Sequence, residues 1–433
     1  MKLAVVVQRY GAELNGGAEL HARYISELLA RHAKVEVLTT CARDYITWRN
    51  ELTEGTEQVN GIQVRRFPVT QERDPRKFGN KSDHVFNNRH SIAEELDWLK
   101  AEGPTSPALI DYLRQAGSTY DYVIFFSYRY FHTYHGIQTT SERAILVPTA
   151  ERDPALGLTI FGSTFRNVRA VMYNSHEERA LIQHITQNHS VPNVVVGIGS
   201  DVPTTSDANR FRARTKIREP FVLYVGRIDK NKGCDELFDY FCRYAKQASS
   251  NLQLVVIGEP VMPVPEHPQI THLGFVTDEE KYYAMSAATL LVMPSYYESL
   301  SMVIIEAWAM RIPVLVNGKC DVLKGQTIRA NAGLYYETYD EFLETLRMLE
   351  TNRELRNTLA AEGRTYYERH YTWDVIESKY LSMLETLGKG GHPVGNHESS
   401  HPTPGWLQKT RRVHAPAREV VSLAPTGPHN QRN

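Results

Sequence analysis

Glu298 and Glu306 stand eight residues apart in the stretch Tyr297-Glu298-Ser299-Leu300-Ser301-Met302-Val303-Ile304-Ile305-Glu306-Ala307-Trp308. A buried-strand run, Leu290 to Met293, ends at Pro294 just upstream, and a polar turn follows. Apolar positions at Met302, Val303, Ile304, Ala307 and Trp308 have helical spacing, and Ser299 or Ser301 suits the N-cap. Glu298 is therefore expected at or just before a helix N-terminus, with Glu306 about 12 Å farther along the axis. A helix N-terminus attracts anions through its unpaired N–H groups and its dipole. A ligand with a pyrophosphate in the middle and a polyol at each end suits this pattern. Glu298 would accept from hydroxyls at the tip, and Glu306 from hydroxyls farther down. Taken alone, two glutamates at this spacing are more often a solvated helix face.

A second constellation supplies the missing charge. The apolar run Phe221 to Val225 is followed by Gly226-Arg227-Ile228-Asp229-Lys230-Asn231-Lys232-Gly233. Gly226 would end a strand at the ligand edge of a sheet, and Arg227 and Lys232 can both point at one anion. Two cations opposite a helix N-terminus make a pyrophosphate clamp. A third signal is the pair Gly16-Gly17, between the strand Leu3 to Gln8 and a helix with the stripe Leu20, Tyr24, Leu28, Leu29. Glycines there allow positive φ and close backbone approach. The chain lacks G-x-G-x-x-G, so a dinucleotide fingerprint is absent.

These residues need strands that end together and helices that start there. The first half alternates strands near 3–8, 35–38, 122–126, 144–147, 168–173 and 194–196 with helices. The second half does so with strands near 221–225, 252–257, 270–273, 290–293 and 314–316. Such alternation means parallel sheets covered by helices on both faces. The expected architecture is α/β, with two Rossmann-like doubly wound domains facing a central cleft, where ligands meet the carboxyl ends of strands. Expected boundaries are 1–203 for the first domain, completed by a C-terminal helix at 373–387, and 204–372 for the second. Pro203 to Pro220 reads as a polar linker. Arg65 to His90 reads as an irregular basic loop that touches either solvent, an anionic acceptor or a membrane surface. Residues 388–433, rich in Gly, Pro, His, Ser and Asn, read as a disordered tail.

Composition narrows the classes. The chain has 433 residues, 42% hydrophobic and 23% charged, with a net charge of −1, so bulk charge argues against nucleic-acid binding. Its four cysteines form no C-x-x-C pair, which speaks against zinc or a disulfide framework and fits a reducing cytoplasm. The N-terminal apolar run is too short for a signal peptide, and no stretch approaches 18 apolar residues.

Together the motifs Gly16-Gly17-Ala18-Glu19, Gly226-Arg227…Lys232-Gly233 and Glu298…Glu306-Ala307 resemble glycosyltransferase family 4, the retaining sugar-nucleotide transferases of GT-B fold. Thr372-Trp373 resembles the start of that family's terminal helix. The resemblance implies that Arg227 and Lys232 bind the donor diphosphate, Glu298 the donor-sugar hydroxyls and Glu306 the ribose hydroxyls. Backbone N–H groups of Ser299, Leu300 and Ser301 would cap phosphate or sugar. Gly226 ends the strand there, and Gly16 and Gly17 let their loop approach the phosphate. The base would meet backbone groups near Gly258-Glu259 and Phe275-Val276. Many relatives place a His in a segment like P-T-A-H-D-E, but here Pro148-Thr149-Ala150-Glu151-Arg152-Asp153 puts Glu151 in its place. The implied reaction moves a sugar from a nucleotide-diphosphate donor, such as a UDP- or GDP-sugar, to a hydroxyl of a glycan, lipid-linked or small-molecule acceptor. Polysaccharide or glycoconjugate biosynthesis is the expected setting, in the cytoplasm or at the inner face of the membrane. No Asp-x-Asp occurs, so no metal is expected. Two other readings stay open: a GT-B sugar-nucleotide hydrolase or epimerase, and a non-catalytic sugar-nucleotide-binding protein.

Overall fold

The structure is a computed structural model, and it describes residues 1–14, 16–203 and 206–390. They fall into two compact units, Met1–Gly197 with residues 377–390, and Ile198–Ile376. The expected tail, 388–433, lies outside the described residues from 391 on, and its first residue, Gly388, ends the last helix.

The first unit is built on β1 (Lys2–Val6), β2 (Lys34–Thr40), β3 (Gly55–Val59), β4 (Ile62–Phe67), β5 (Tyr122–Phe126), β6 (Ala144–Val147), β7 (Ala170–Tyr173) and β8 (Asn193–Val195). They lie in the order β3-β4-β2-β1-β5-β6-β7-β8. Every neighbouring pair is parallel except β3 and β4, which form an antiparallel hairpin. Asn60 and Gly61 turn that hairpin with positive φ at both positions, as a tight turn between twisted strands requires. The central strands are apolar throughout because helices cover both faces: every residue of β5 except Tyr122, and all of β6 and β7, is buried.

The second unit carries β9 (Phe221–Val225), β10 (Gln253–Ile257), β11 (Ile270–His272), β12 (Leu290–Met293), β13 (Val314–Asn317) and β14 (Gly333–Tyr336). All pairs are parallel, and the order is β11-β10-β9-β12-β13-β14. Counted from β9, that is the 3-2-1-4-5-6 order of a doubly wound dinucleotide-type sheet, and the winding reverses between β9 and β12. The core under the sheet includes Leu237, Phe241, Leu254, Val292, Leu315 and Leu346.

Several expectations need correction. The segment 65–90 is not an irregular loop. Arg65 and Arg66 sit in β4, where Arg65 pairs with Glu36 (3.0 Å) and Arg66 with Glu57 (2.5 Å). Pro75–Asn87 is a helix whose N-cap, Asp74, accepts from the N–H groups of Arg76 and Lys77. Arg73 lies over the rings of Trp48 and Phe78 and pairs with Glu102, and Lys81 pairs with Asp97. The excess of cations in sequence is thus largely absorbed by acids that are distant along the chain. The polar stretch 203–220 is not a bare linker either. It holds the helix Ala208–Thr215, anchored by Phe211, whose ring lies 5.1 Å from that of Phe221. The helix Asp321–Ala330 and strand β14 complete the second sheet and were not anticipated.

The last helix, Trp373–Gly388, begins where Thr372-Trp373 suggested. Trp373 Nε1 donates to Asp201 (2.6 Å) within the second unit. From Glu377 the helix belongs to the first unit and buries Tyr380, Met383, Leu384 and Leu387 there. Leu384→Ala should cost about 2–5 kcal/mol, the usual price of emptying a fully buried leucine site. Chemical denaturation of the two proteins side by side checks this.

Candidate active site

In the second unit the candidate residues gather at the carboxyl ends of β9 and β12, the point where the winding reverses. The turn after β9 is held from three sides. The Ile228 N–H donates to the Glu259 carbonyl (2.9 Å), and the Ile228 carbonyl accepts from the N–H of Val261 (2.9 Å). The buried Tyr224 hydroxyl donates to the Arg227 carbonyl (2.8 Å). Asp229 holds the turn from inside. Its carboxylate accepts from Arg227 Nε, and from the Lys232 N–H at 2.9 Å. Burial opposes the charged form of Asp229, but Arg227 and the backbone donors outweigh it and keep the carboxyl below its usual range.

Lys232 reaches the turn after β12, where its Nζ pairs with Glu298 Oε1 at 2.7 Å. The two expected motifs therefore meet, and each clamp cation rests on a carboxylate. Gly233 lets this happen. Its φ is +69°, and a Cβ there would lie 2.1 Å from the Pro294 carbonyl oxygen. Ser299 and Leu300 follow in the same turn, half-buried, and Ser301 is the N-cap of the helix Met302–Ala309. The cap is by position only, because the Ser301 side chain makes no capping hydrogen bond. The helix therefore leaves N–H groups at its start for another acceptor.

Glu306 lies on that helix, only 5% exposed. Its Oε1 accepts from Lys281 Nζ (2.9 Å) and from the Tyr282 hydroxyl (3.2 Å). Burial pushes its carboxyl above the usual range, and Lys281 and Tyr282 pull against that. Gly258 ends β10 with a φ of +141°, and a Cβ there would meet the Gly226 carbonyl oxygen at 1.9 Å. Gly226 and Gly258 are thus brought into backbone contact, and the Gly226 N–H donates to the Ile257 carbonyl (2.9 Å). Val276 is half-buried and immediately precedes Thr277, which caps the helix Asp278–Ala287 together with Glu280.

The remaining candidates lie in the first unit. Neither Gly16 nor Gly17 has a positive φ, so backbone freedom is not what these positions require. Gly16 is needed for space, since a Cβ would lie 2.2 Å from the Glu19 carboxylate. Arg9 pins that buried carboxylate, with Nε at 2.8 Å and Nη2 at 2.6 Å from one oxygen. Gly17 faces open space at the start of its helix. Glu151 follows β6, half-buried. Arg129 pairs with Glu102 (2.8 Å) and Asp153 (3.3 Å). Asp153 also accepts from the Tyr128 hydroxyl and from the Ala155 N–H. Two non-glycine residues with left-handed backbone, Ser127 and Thr149, end β5 and β6, and their hydroxyls lie 2.7 Å apart. Backbone of this kind clusters at functional edges. His132 is fully buried, and neither ring nitrogen has a hydrogen-bond partner among the described residues. Burial lowers its pKa to about 3, so it is neutral.

Comparison with known proteins places this geometry. Sucrose-phosphate synthase from Thermosynechococcus elongatus superposes with a TM-score of 0.66 at 16% identity, covering 90% of this chain and 100% of that one. Anabaena Alr3699/HepE in complex with UDP-glucose superposes with a TM-score of 0.65 at 15% identity, with the same coverage. The fold is GT-B. Residues 205–366, in the second unit, match the family described as glycosyl transferases group 1. A capsular polysaccharide biosynthesis glycosyltransferase, CapM of Staphylococcus aureus, is 29% identical over 195 residues, 40% of this chain and 49% of that protein. The chain spans about half the length of the first curated relatives it matches. An uncharacterised glycosyltransferase of Methanocaldococcus jannaschii is 22% identical over 90% of this chain and its own full length.

Sequence reasoning missed Asp229, Tyr224, Lys281 and Tyr282 in this GT-B site. Asp229 had a readable signal, an acid two residues after Arg227 and three before Lys232. Lys281 and Tyr282 had none, because Glu306 lies on another helix, and Tyr224 reads as one more apolar residue of a buried strand although its partner is only three residues away. The glycine geometry is directly testable. Gly258→Ala should destabilise by more than about 2 kcal/mol, since the backbone must move away from Gly226 and φ must change. Gly17→Ala should leave the melting temperature unchanged or raise it. Thermal unfolding of the pair separates the two glycines.

Proposed function

We propose that the protein is a retaining glycosyltransferase of family 4 type that moves a sugar from a nucleotide-diphosphate donor to a hydroxyl acceptor. The observation that carries this reading is the meeting of Arg227, Lys232 and Glu298 at the reversal point of the second sheet, beside an unsatisfied helix start. Arg227 and Lys232 bind the diphosphate and offset the charge on the leaving group. Asp229 and Glu298 hold the two cations until a donor arrives. Glu298 then turns to donor-sugar hydroxyls, and Glu306 binds the ribose. Backbone N–H groups at Ser299, Leu300 and Ser301 cap phosphate or sugar. Gly226 and Gly258 bring backbone close to the nucleotide, with Val276 near the base and the Gly16-Gly17 loop near the donor phosphate.

Attack proceeds from the face the leaving group departs, with the diphosphate taking the acceptor proton. No nucleophile paired with a base serves the reaction, and catalysis rests on positioning and electrostatics. Glu151 stabilises positive charge developing on the sugar ring, which exists mainly in the transition state. The proposed setting is polysaccharide or glycoconjugate biosynthesis, without a required metal. The bound UDP and UDP-glucose named for the Anabaena neighbour support a nucleotide-sugar donor. Among the described residues no helix is long and apolar enough to cross a membrane.

Thermal-shift screening against UDP-, GDP- and ADP-sugars identifies the donor, because a ligand at about 100 times its Kd stabilises by about 2.7 kcal/mol. Arg227→Ala should then reduce kcat by about 100-fold or more, the typical loss when one charge-stabilising donor is removed. Turnover at the wild-type rate, or a product of inverted anomeric configuration, overturns the reading. Glu151→Gln should lower kcat more than it raises donor KM. Steady-state kinetics at varied donor concentration measures both.

A further inference from the structure

Glu306 is held unevenly. One oxygen, Oε1, takes both available donors, Lys281 Nζ at 2.9 Å and the Tyr282 hydroxyl at 3.2 Å. The other, Oε2, is buried and has no hydrogen-bond partner among the described residues. A carboxylate oxygen in that state is costly, and the cost disappears when a ligand hydroxyl donates to it. Lys281 is itself largely buried, its side chain 14% exposed, and it lies 4.5 Å over the Tyr282 ring. Its second acid, Asp278 at 3.1 Å, is exposed and screened by solvent. Burying an ammonium against one carboxylate is favourable only where geometry is fixed and the pair is needed. The helix Asp278–Ala287 fixes it, since its capping box holds the turn from which Lys281 projects.

We propose that Lys281 is a specificity-determining residue for the nucleotide: with Tyr282 it immobilises Oε1 of Glu306 and leaves Oε2 reserved for a ribose hydroxyl. This rests on the glycosyltransferase reading and goes beyond it, because it assigns ribonucleotide selection to a cation on a different helix from the carboxylate. The cation also favours the charged, accepting form of Glu306 against the burial that raises its pKa. A site built to pair with a hydroxyl rejects an analogue that lacks it by orders of magnitude, because the buried oxygen then stays unpaired.

The test uses the full chain and titrates UDP, GDP and ADP by calorimetry, followed by the 2′-deoxy and 3′-deoxy forms of whichever binds. The wild type should bind at least one deoxy form about 100-fold more weakly than the parent. Lys281→Met should bind the parent about tenfold more weakly and discriminate by less than about fivefold, because a neutral or swung carboxyl no longer reserves Oε2. Lys281→Arg should retain most of the discrimination. In turnover, the rise in donor KM for Lys281→Met should exceed any fall in kcat. A folded Lys281→Met protein with wild-type discrimination overturns the inference, as does a wild type that binds the parent and both deoxy forms alike. If Lys281→Met fails to fold, Tyr282→Phe replaces it and should lower discrimination about threefold or more, with unchanged discrimination counting against the inference. A wild type that binds none of the three nucleotides overturns the glycosyltransferase reading itself.

Discussion

A parallel sheet wound in two directions cannot close its surface at the point where the winding reverses. In the second unit the chain leaves β9 toward one face and β12 toward the other, so their carboxyl ends have no crossover above them. Everything proposed for donor binding hangs from that gap. The turn after β9 brings Arg227 and Lys232, the turn after β12 brings Glu298, and the helix that follows begins there without a side-chain cap from Ser301. The approach of the two turns is close enough that Gly233 stands against the Pro294 carbonyl. A side chain at Gly258 would meet the Gly226 carbonyl and push the ends of β9 and β10 apart.

Charge is managed by local pairing. Arg227 rests on Asp229, Lys232 on Glu298 and Lys281 on Glu306. Such pairs contribute modestly to stability, because desolvation offsets much of their attraction. Their value lies in holding cations and carboxylates in place before a ligand is present, so that little reorganisation accompanies binding. A diphosphate can replace the carboxylates around Arg227 and Lys232, and hydroxyls can then take the carboxylate oxygens released.

The first unit carries its own tension at the carboxyl ends of its strands. Glu178 is fully buried and burial raises its pKa to about 8, while its oxygens accept from the N–H groups of Ala150 (2.6 Å) and Asn174 (2.5 Å). It thereby ties the end of β6 to the end of β7. Left-handed backbone at Ser127 and Thr149 follows β5 and β6, and the neutral His132, whose ring nitrogens have no hydrogen-bond partner among the described residues, also follows β5. Edges that combine strain with buried polar atoms are where folds keep function rather than stability.

Most of the strands, their parallel pairing and the two motifs after β9 and β12 were legible in the sequence, whereas β3, β4 and β14 were not. Apolar runs of four to six residues between helical stretches admit few other arrangements, and Gly226, Gly233 and the Glu298–Glu306 stretch announce their positions through local chemistry. Ser175 and Thr338 behaved as the caps their residue types suggest, because capping is settled within four residues. What the sequence left undecided was who pairs with whom at a distance. The basic stretch 65–90 looked solvated because Glu36, Glu57, Asp97 and Glu102 are remote along the chain. Gly16 looked like a residue chosen for its backbone freedom, and only the folded position of Glu19 shows that it is chosen for space. Nothing beside Lys281 in the sequence points to a buried partner, and only the folded position of its helix gives it Glu306. Local patterns determine elements because φ/ψ preferences and period are local. The ion pairs and close approaches that make a site are contacts between elements, and those exist only once the sheet order has been chosen.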